Sequence, residues 1–146
     1  VQFYNGNTSA TTNTIYTNFR LVNTGTASLT FSNVKMRYYY TIDGEKPQNF
    51  WCDYATAGSA NVTGTFVKMT TAKTGADYYL EVGFTSGAGS LAAGASSDVQ
   101  VRFAKNDWTD YTQTGDYSFN SSATGYTDWN KTTGYVSGAL SWGVEP

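Results

Sequence analysis

No histidine occurs among the 146 residues of the chain. That excludes Ser-His-Asp and Cys-His catalysis and the usual histidine-bearing zinc sites. A single cysteine, Cys52, rules out an internal disulfide and leaves the redox compartment open. Set between bulky aromatics in "FWCDY", it reads as a buried, inert thiol. Lys and Arg number 9 against 11 acidic residues, so the basic footprint of a nucleic-acid binder is missing. No apolar run approaches the roughly eighteen residues of a membrane-spanning helix. Phosphate-binding loops, G-x-S-x-G elbows and dinucleotide fingerprints are also absent. The opening "VQFYNGN" does not read as a signal peptide. It starts inside a strand pattern, as an excised module does.

What the chain has in quantity is aromatic surface and turns. Aromatics make up 16% of the residues, with 12 Tyr and 4 Trp, side chains that pair an apolar body with a polar tip. Fifteen glycines and frequent Asn, Thr and Ser punctuate the chain. Between them lie short alternating runs, the pattern of half-buried strands. Ile15, Phe19 and Leu21 share a face in "TIYTNFRLVN", and Val34, Met36, Tyr38 and Tyr40 share one in "VKMRYYYT". Tyr78, Leu80, Val82 and Phe84 do so in "YYLEVGF". In "DVQVRF", Val99, Val101 and Phe103 turn inward and leave Gln100 and Arg102 outside; "YVSGALSW" reads as one final strand. Helical periodicity is absent, so the pattern predicts a single-domain antiparallel β-sandwich over residues 1–146.

Two groups of residues could carry chemistry. Thr41 and Asp43 in "YTIDGE", with Thr112 and Asp116 in "YTQTGDY", offer the oxygen donors that a hard cation such as Ca²⁺ takes. They read equally as two unrelated turns. Arg102 and Trp108 in "RFAKNDW" form the other group. Trp108 lies among charged and turn-forming residues, so it is either a core plug or an exposed tool. Paired carboxylates could run glycoside hydrolysis. Most acidic residues, however, sit in turns.

The stretches "VQFYNGN", "FRLVNTG", "MRYYYTIDGEKPQNFWCDY", "GTFVKM", "RFAKNDWTDYTQTGDYSF" and "YVSGALSWGVEP" together resemble a family 3 carbohydrate-binding module, and the likeness covers the whole chain. The resemblance implies an all-β, nine-stranded antiparallel sandwich of jelly-roll topology. It implies no catalysis, but binding to crystalline cellulose through a flat row on one sheet. In that row Asp53 pairs with Arg102, Trp108 stacks on glucose rings, and Tyr54 replaces a frequent histidine. Asn13 and Gln100 match polar anchors, with Gly6 where serine is common. A loop that carries a further tyrosine in scaffoldin relatives is here the short, aromatic-free "ATAGSANVTG". A structural Ca²⁺ maps onto Thr41, Asp43, Thr112, Gly115 and Asp116, and a shallow groove on the opposite sheet onto Arg37, Tyr39 and Tyr117. The expected setting is a monomeric module of a larger, secreted or cell-surface bacterial protein, a scaffoldin or a cellulase. It would bind cellulose and neither nucleic acid nor membrane. Two other roles keep the same fold: feeding single chains to a family 9 endoglucanase, or a structural sandwich that binds linker peptides.

Overall fold

The computed structural model describes all 146 residues. In chain order the strands are β1 (Gln2–Asn5), β2 (Thr11–Thr12), β3 (Thr14–Val22), β4 (Leu29–Thr30), β5 (Val34–Tyr40), β6 (Gln48–Ala55) and β7 (Val62–Lys73). They continue with β8 (Ala76–Phe84), β9 (Ser90–Leu91), β10 (Ser96–Lys105), β11 (Tyr111–Thr112), β12 (Thr127–Asp128), β13 (Thr132–Val136) and β14 (Ala139–Trp142). No α-helix is present, only three short 3₁₀ turns. The strands form two five-stranded sheets, ordered β12-β1-β3-β10-β6 and β14-β13-β5-β8-β7, and two small ribbons, β11-β2 and β4-β9. All pairings are antiparallel.

The class is the expected sandwich, but its two main sheets hold ten strands rather than nine. One reason for the extra strand is "YVSGALSW", which folds as a hairpin, β13–β14, instead of one strand. Ser137 (φ 50°) and Gly138 (φ 82°) make its two-residue turn. Both central residues lie at positive φ, the requirement of the tight hairpin turn whose twist matches its strands.

Side chains that alternate inward from both sheets meet in one core, including Phe3, Ile15, Phe19, Tyr38, Tyr40, Leu80, Val101 and Phe103. Buried tyrosines need partners for their hydroxyls. Tyr38 accepts from Asn5 Nδ2 at 3.1 Å, while Tyr40 and Tyr111 both donate to Gln48 Oε1, at 2.7 and 2.9 Å. Cys52 departs from expectation. It faces inward against this core but is only half-buried, because β6 is the edge strand of its sheet. Partial burial raises its thiol pKa, which keeps it in the unreactive form.

Candidate binding face and oxygen cluster

Strand β10 alternates without interruption against β3, so Asp98, Gln100 and Arg102 project to the outer face while Val99, Val101 and Phe103 fill the core. Against β6 the register slips. Gln100 faces Tyr54 and Val101 faces Cys52, which leaves Asp53 as the extra residue of a β-bulge. In a regular strand Asp53 and Tyr54 would point to opposite faces. The bulge sets both on the outer face, where both are exposed.

Four groups from β6, β10 and the turn after β10 then line up. Arg102 Nε lies 3.0 and 3.1 Å from the two Asp53 oxygens. The Arg102 guanidinium lies 4.6 Å from the ring centre of Trp51. Trp51 in turn stacks on Trp108, with ring centres 5.6 Å apart and planes 12° from parallel. Trp108 thus has one face covered by another indole and remains 48% exposed. A core plug would be buried.

The turn that carries Trp108 is strained and well tied. Trp108 has φ 60°, an outlier for a bulky side chain that costs about 1–3 kcal/mol. Several bonds hold it there. Trp108 N–H donates to Lys105 O at 3.1 Å, and Asn106 N–H donates to Pro47 O at 2.8 Å. Asp107 accepts from Thr109 N and Oγ1, and those hydrogen bonds lower its pKa. Lys105, the last residue of β10, is buried. Its ammonium donates to Asp43 O at 2.7 Å and Asp110 O at 3.4 Å.

The expected polar anchors are differently placed. Gln100 lies on the outer face and donates to Tyr126 Oη at 3.3 Å. Asn13 is exposed in the link between β2 and β3, where its Oδ1 accepts from Thr14 Oγ1 at 2.9 Å. Gly6 lies beneath Tyr16 and Asn18, and a Cβ there would come within 2.9 Å of Tyr16 Cβ.

Thr41, Asp43, Thr112 and Asp116 do converge. Thr41 Oγ1 lies 2.7 Å from Asp116 Oδ1 and 3.3 Å from Asp43 Oδ1, and Thr112 N–H donates to Asp43 Oδ2 at 2.8 Å. Asp77, absent from the expected set, accepts from Ile42 N–H at 2.9 Å nearby. Asp116 Oδ2 is buried and has no hydrogen-bond partner. Burial pushes the Asp116 pKa up to about 7; Thr41 pulls against this, and Asp43 and Asp77 add to the rise. No three carboxylates stand close enough to form a metal cluster by themselves, so hydroxyl or main-chain oxygens would have to complete any site. Gly115 (φ 88°) supplies the left-handed turn just before Asp116.

On the opposite sheet, Arg37, Tyr39 and Tyr117 also meet. The Arg37 guanidinium is sandwiched 4.3 Å from both Tyr79 and Tyr135, and its Nε donates to Glu81 at 2.9 Å. Tyr39 is only 2% exposed, which makes it a floor rather than a contact surface. Its hydroxyl lies 3.0 Å from Thr133 Oγ1 and 3.2 Å from Tyr135 Oη. Tyr117 packs edge-on against it and donates to Val144 O.

A β-sandwich with no catalytic constellation and a row of flat side chains along one sheet has the form of a carbohydrate-binding module. The family model described as "Cellulose binding domain" matches residues 1–143, and the chain belongs to this family. A "Xyloglucanase" of Paenibacillus sp is 64% identical over all 146 residues. "Cellulosomal-scaffolding protein A" of Acetivibrio thermocellus is 49% identical over 155 aligned positions that include the whole chain. The chain spans 14% and 8% of these relatives' own lengths. Among solved structures, the "CBM3b of major scaffoldin subunit ScaA" of Acetivibrio cellulolyticus is 57% identical, with a TM-score of 0.97. The match covers 99% of this chain and 95% of that one. The module is therefore a noncatalytic cellulose-binding domain, as its resemblance implied.

Proposed function

We propose that the module, acting as one unit over residues 1–146, binds the flat faces of crystalline cellulose through Trp108, Arg102, Asp53 and Tyr54. The observation that carries this reading is the packing of Trp108, one face on Trp51 and the other open to solvent. Glucopyranose rings have apolar C–H faces and hydroxyls around the rim. A flat aromatic removes those faces from water and leaves the hydroxyls for polar neighbours. Arg102 and Asp53, locked together, present a flat polar plate beside it. Because a crystal face repeats, a rigid row engages several rings at once. Adsorption of Trp108→Ala to microcrystalline cellulose tests the assignment. Weakened binding with an unchanged melting temperature is the expected result; wild-type adsorption by the folded variant overturns it.

The donor set Thr41, Asp43, Thr112, Gly115 and Asp116 suits a structural Ca²⁺. It is all oxygen, and it includes an orphaned buried carboxylate oxygen that a cation would satisfy. When bound, the ion would neutralise the Asp43 and Asp116 charges and tie the turn after β5 to the loop after β11. The wider setting we propose is a monomeric module of a larger extracellular or cell-surface protein that degrades or organises plant polysaccharides, acting to hold that protein on its substrate. The much longer relatives, a xyloglucanase and a scaffolding protein, support the reading of a part within a larger protein.

A further inference from the structure

The outer face that carries Trp108 holds a second assembly built on the same plan. Arg20 projects outward from β3 and meets Asp98 of β10, its cross-strand neighbour. Its Nε donates to Asp98 Oδ1 at 2.6 Å and its Nη2 to Oδ2 at 3.2 Å, a two-pronged pair. The guanidinium lies 4.1 Å from the ring centre of Tyr126, as that of Arg102 lies 4.6 Å from Trp51. Tyr4 braces Tyr126 edge-on, with ring centres 5.0 Å apart and planes at 82°. Gln100 joins the two assemblies. It stands between Asp98 and Arg102 on the same face of β10, and its side chain reaches the Tyr126 hydroxyl.

None of this is needed to fill the core. The Arg20 and Asp98 side chains are 36% and 25% exposed, and an ion pair at such exposure adds little to stability. Yet the guanidinium is held flat by two hydrogen bonds and one ring, the same restraint that flattens Arg102. Asp98 lies four residues from Arg102, about 13 Å along the strand. Its partner Arg20 is on β3, one strand to the side of β10. The second plate is therefore displaced both along and across the sheet, a spread that suits contact with an array of parallel glucan chains at more than one chain.

We propose that Arg20, Asp98 and Tyr126 form a further contact plate of the cellulose-binding face, extending the row of Trp108, Arg102, Asp53 and Tyr54 beyond Gln100. The proposal rests on the cellulose-binding reading given above. In a chain whose loop before β7 is short and lacks an aromatic, the plate restores breadth to the row at a different place.

Adsorption isotherms on microcrystalline cellulose, measured beside melting temperatures, test this with Tyr126→Ala, Arg20→Ala and Trp108→Ala. Loss of one flat contact should weaken adsorption by Tyr126→Ala and by Arg20→Ala about three- to tenfold, with little change in melting temperature. Wild-type adsorption by both variants, with Trp108→Ala impaired, overturns the plate and leaves the Trp108 row standing. Impaired Tyr126→Ala and Arg20→Ala with a normal Trp108→Ala supports the plate and removes the row. If Tyr126→Ala fails to fold, Tyr126→Phe and Tyr126→Leu replace it. The flat ring of Phe should adsorb normally and the branched Leu should not; equal adsorption by the two overturns the proposal.

Discussion

The two outer faces of the sandwich use the same three chemical parts and assemble them to opposite ends. On each, an arginine is held by a carboxylate and lies over an aromatic ring. On the β12-β1-β3-β10-β6 face, Arg102 and Arg20 each contact one ring, and the rings and ion pairs stay partly open. On the other face Arg37 is closed between two rings, above a tyrosine with almost no exposure. An arginine stacked on one side is a surface; an arginine stacked on both sides is a clamp. The composition of a cluster therefore does not decide its role. The number of covered guanidinium faces does.

The sharpest way to break this comparison is to cut into the clamp. Tyr39→Ala should cost about 3–5 kcal/mol of stability, as large-to-small changes at buried aromatics do, while the folded fraction adsorbs to cellulose like the parent. Calorimetry together with a binding isotherm checks both halves. If adsorption fell at constant stability, the groove face would be a cellulose surface too.

The oxygen cluster comes next in size. Chelator should lower the melting temperature, because an ion that binds only the folded state adds about 2.7 kcal/mol when it is a hundredfold above its Kd. Asp116→Asn should remove that sensitivity. In metal-free protein the raised pKa means that ionised Asp116 costs stability above about 7, a cost relieved as the pH falls toward the ordinary carboxylate range. The metal holds the ionised form, so the effect of chelator should shrink over the same interval. An unchanged melting curve at neutral pH, with and without chelator, would leave the cluster as two hydrogen-bonded turns.

For the open face, Trp108→Gly is more telling than the alanine variant. Covering half of a tryptophan's roughly 200 Å² at about 25 cal/mol per Å² gives up to ~2.5 kcal/mol, or between ten- and a hundredfold in affinity. Glycine also accepts φ 60° without strain, so the melting temperature should hold or rise while adsorption falls. Arg102→Ala should have a smaller effect, about 1 kcal/mol, since the exposed ion pair contributes little by itself and its loss acts by freeing Asp53. Tyr54→Ala should fall below Trp108→Ala because its ring is smaller. A reversed order between Trp108 and Tyr54 would shift the centre of the row from the turn after β10 along the strands toward Gln100.

Much of this architecture was legible from alternation alone, because period-two burial fixes which residues share a face. That is how Arg102 and Gln100 came to be placed outside. Trp51 was missed, although the signal was available: it stands two residues before Asp53 and shares its face. The hairpin in "YVSGALSW" also had its marker, the Ser-Gly pair. Other features left no local trace. Arg20, Asp98 and Tyr126 meet only through the register of β3 on β10 and a loop that crosses β1. The burial of Lys105 depends on the carbonyl of Asp43, brought in from the turn after β5, beside that of nearby Asp110. The paired exposure of Asp53 and Tyr54 needs a bulge, and a bulge is a property of two strands together.

That bulge has a second effect. Strand β6 ends its sheet, so one row of its main-chain donors and acceptors faces outward, and such an edge invites another copy to pair with it. A domain that gathers on a solid surface brings many copies side by side at high local density, where edge-to-edge polymerisation is most favoured. The irregularity opposite Gln100 and Val101 breaks the even spacing that a second strand would need. The kink that sets Asp53 and Tyr54 on one face thus also makes β6 a poorer template for a strand from a second copy.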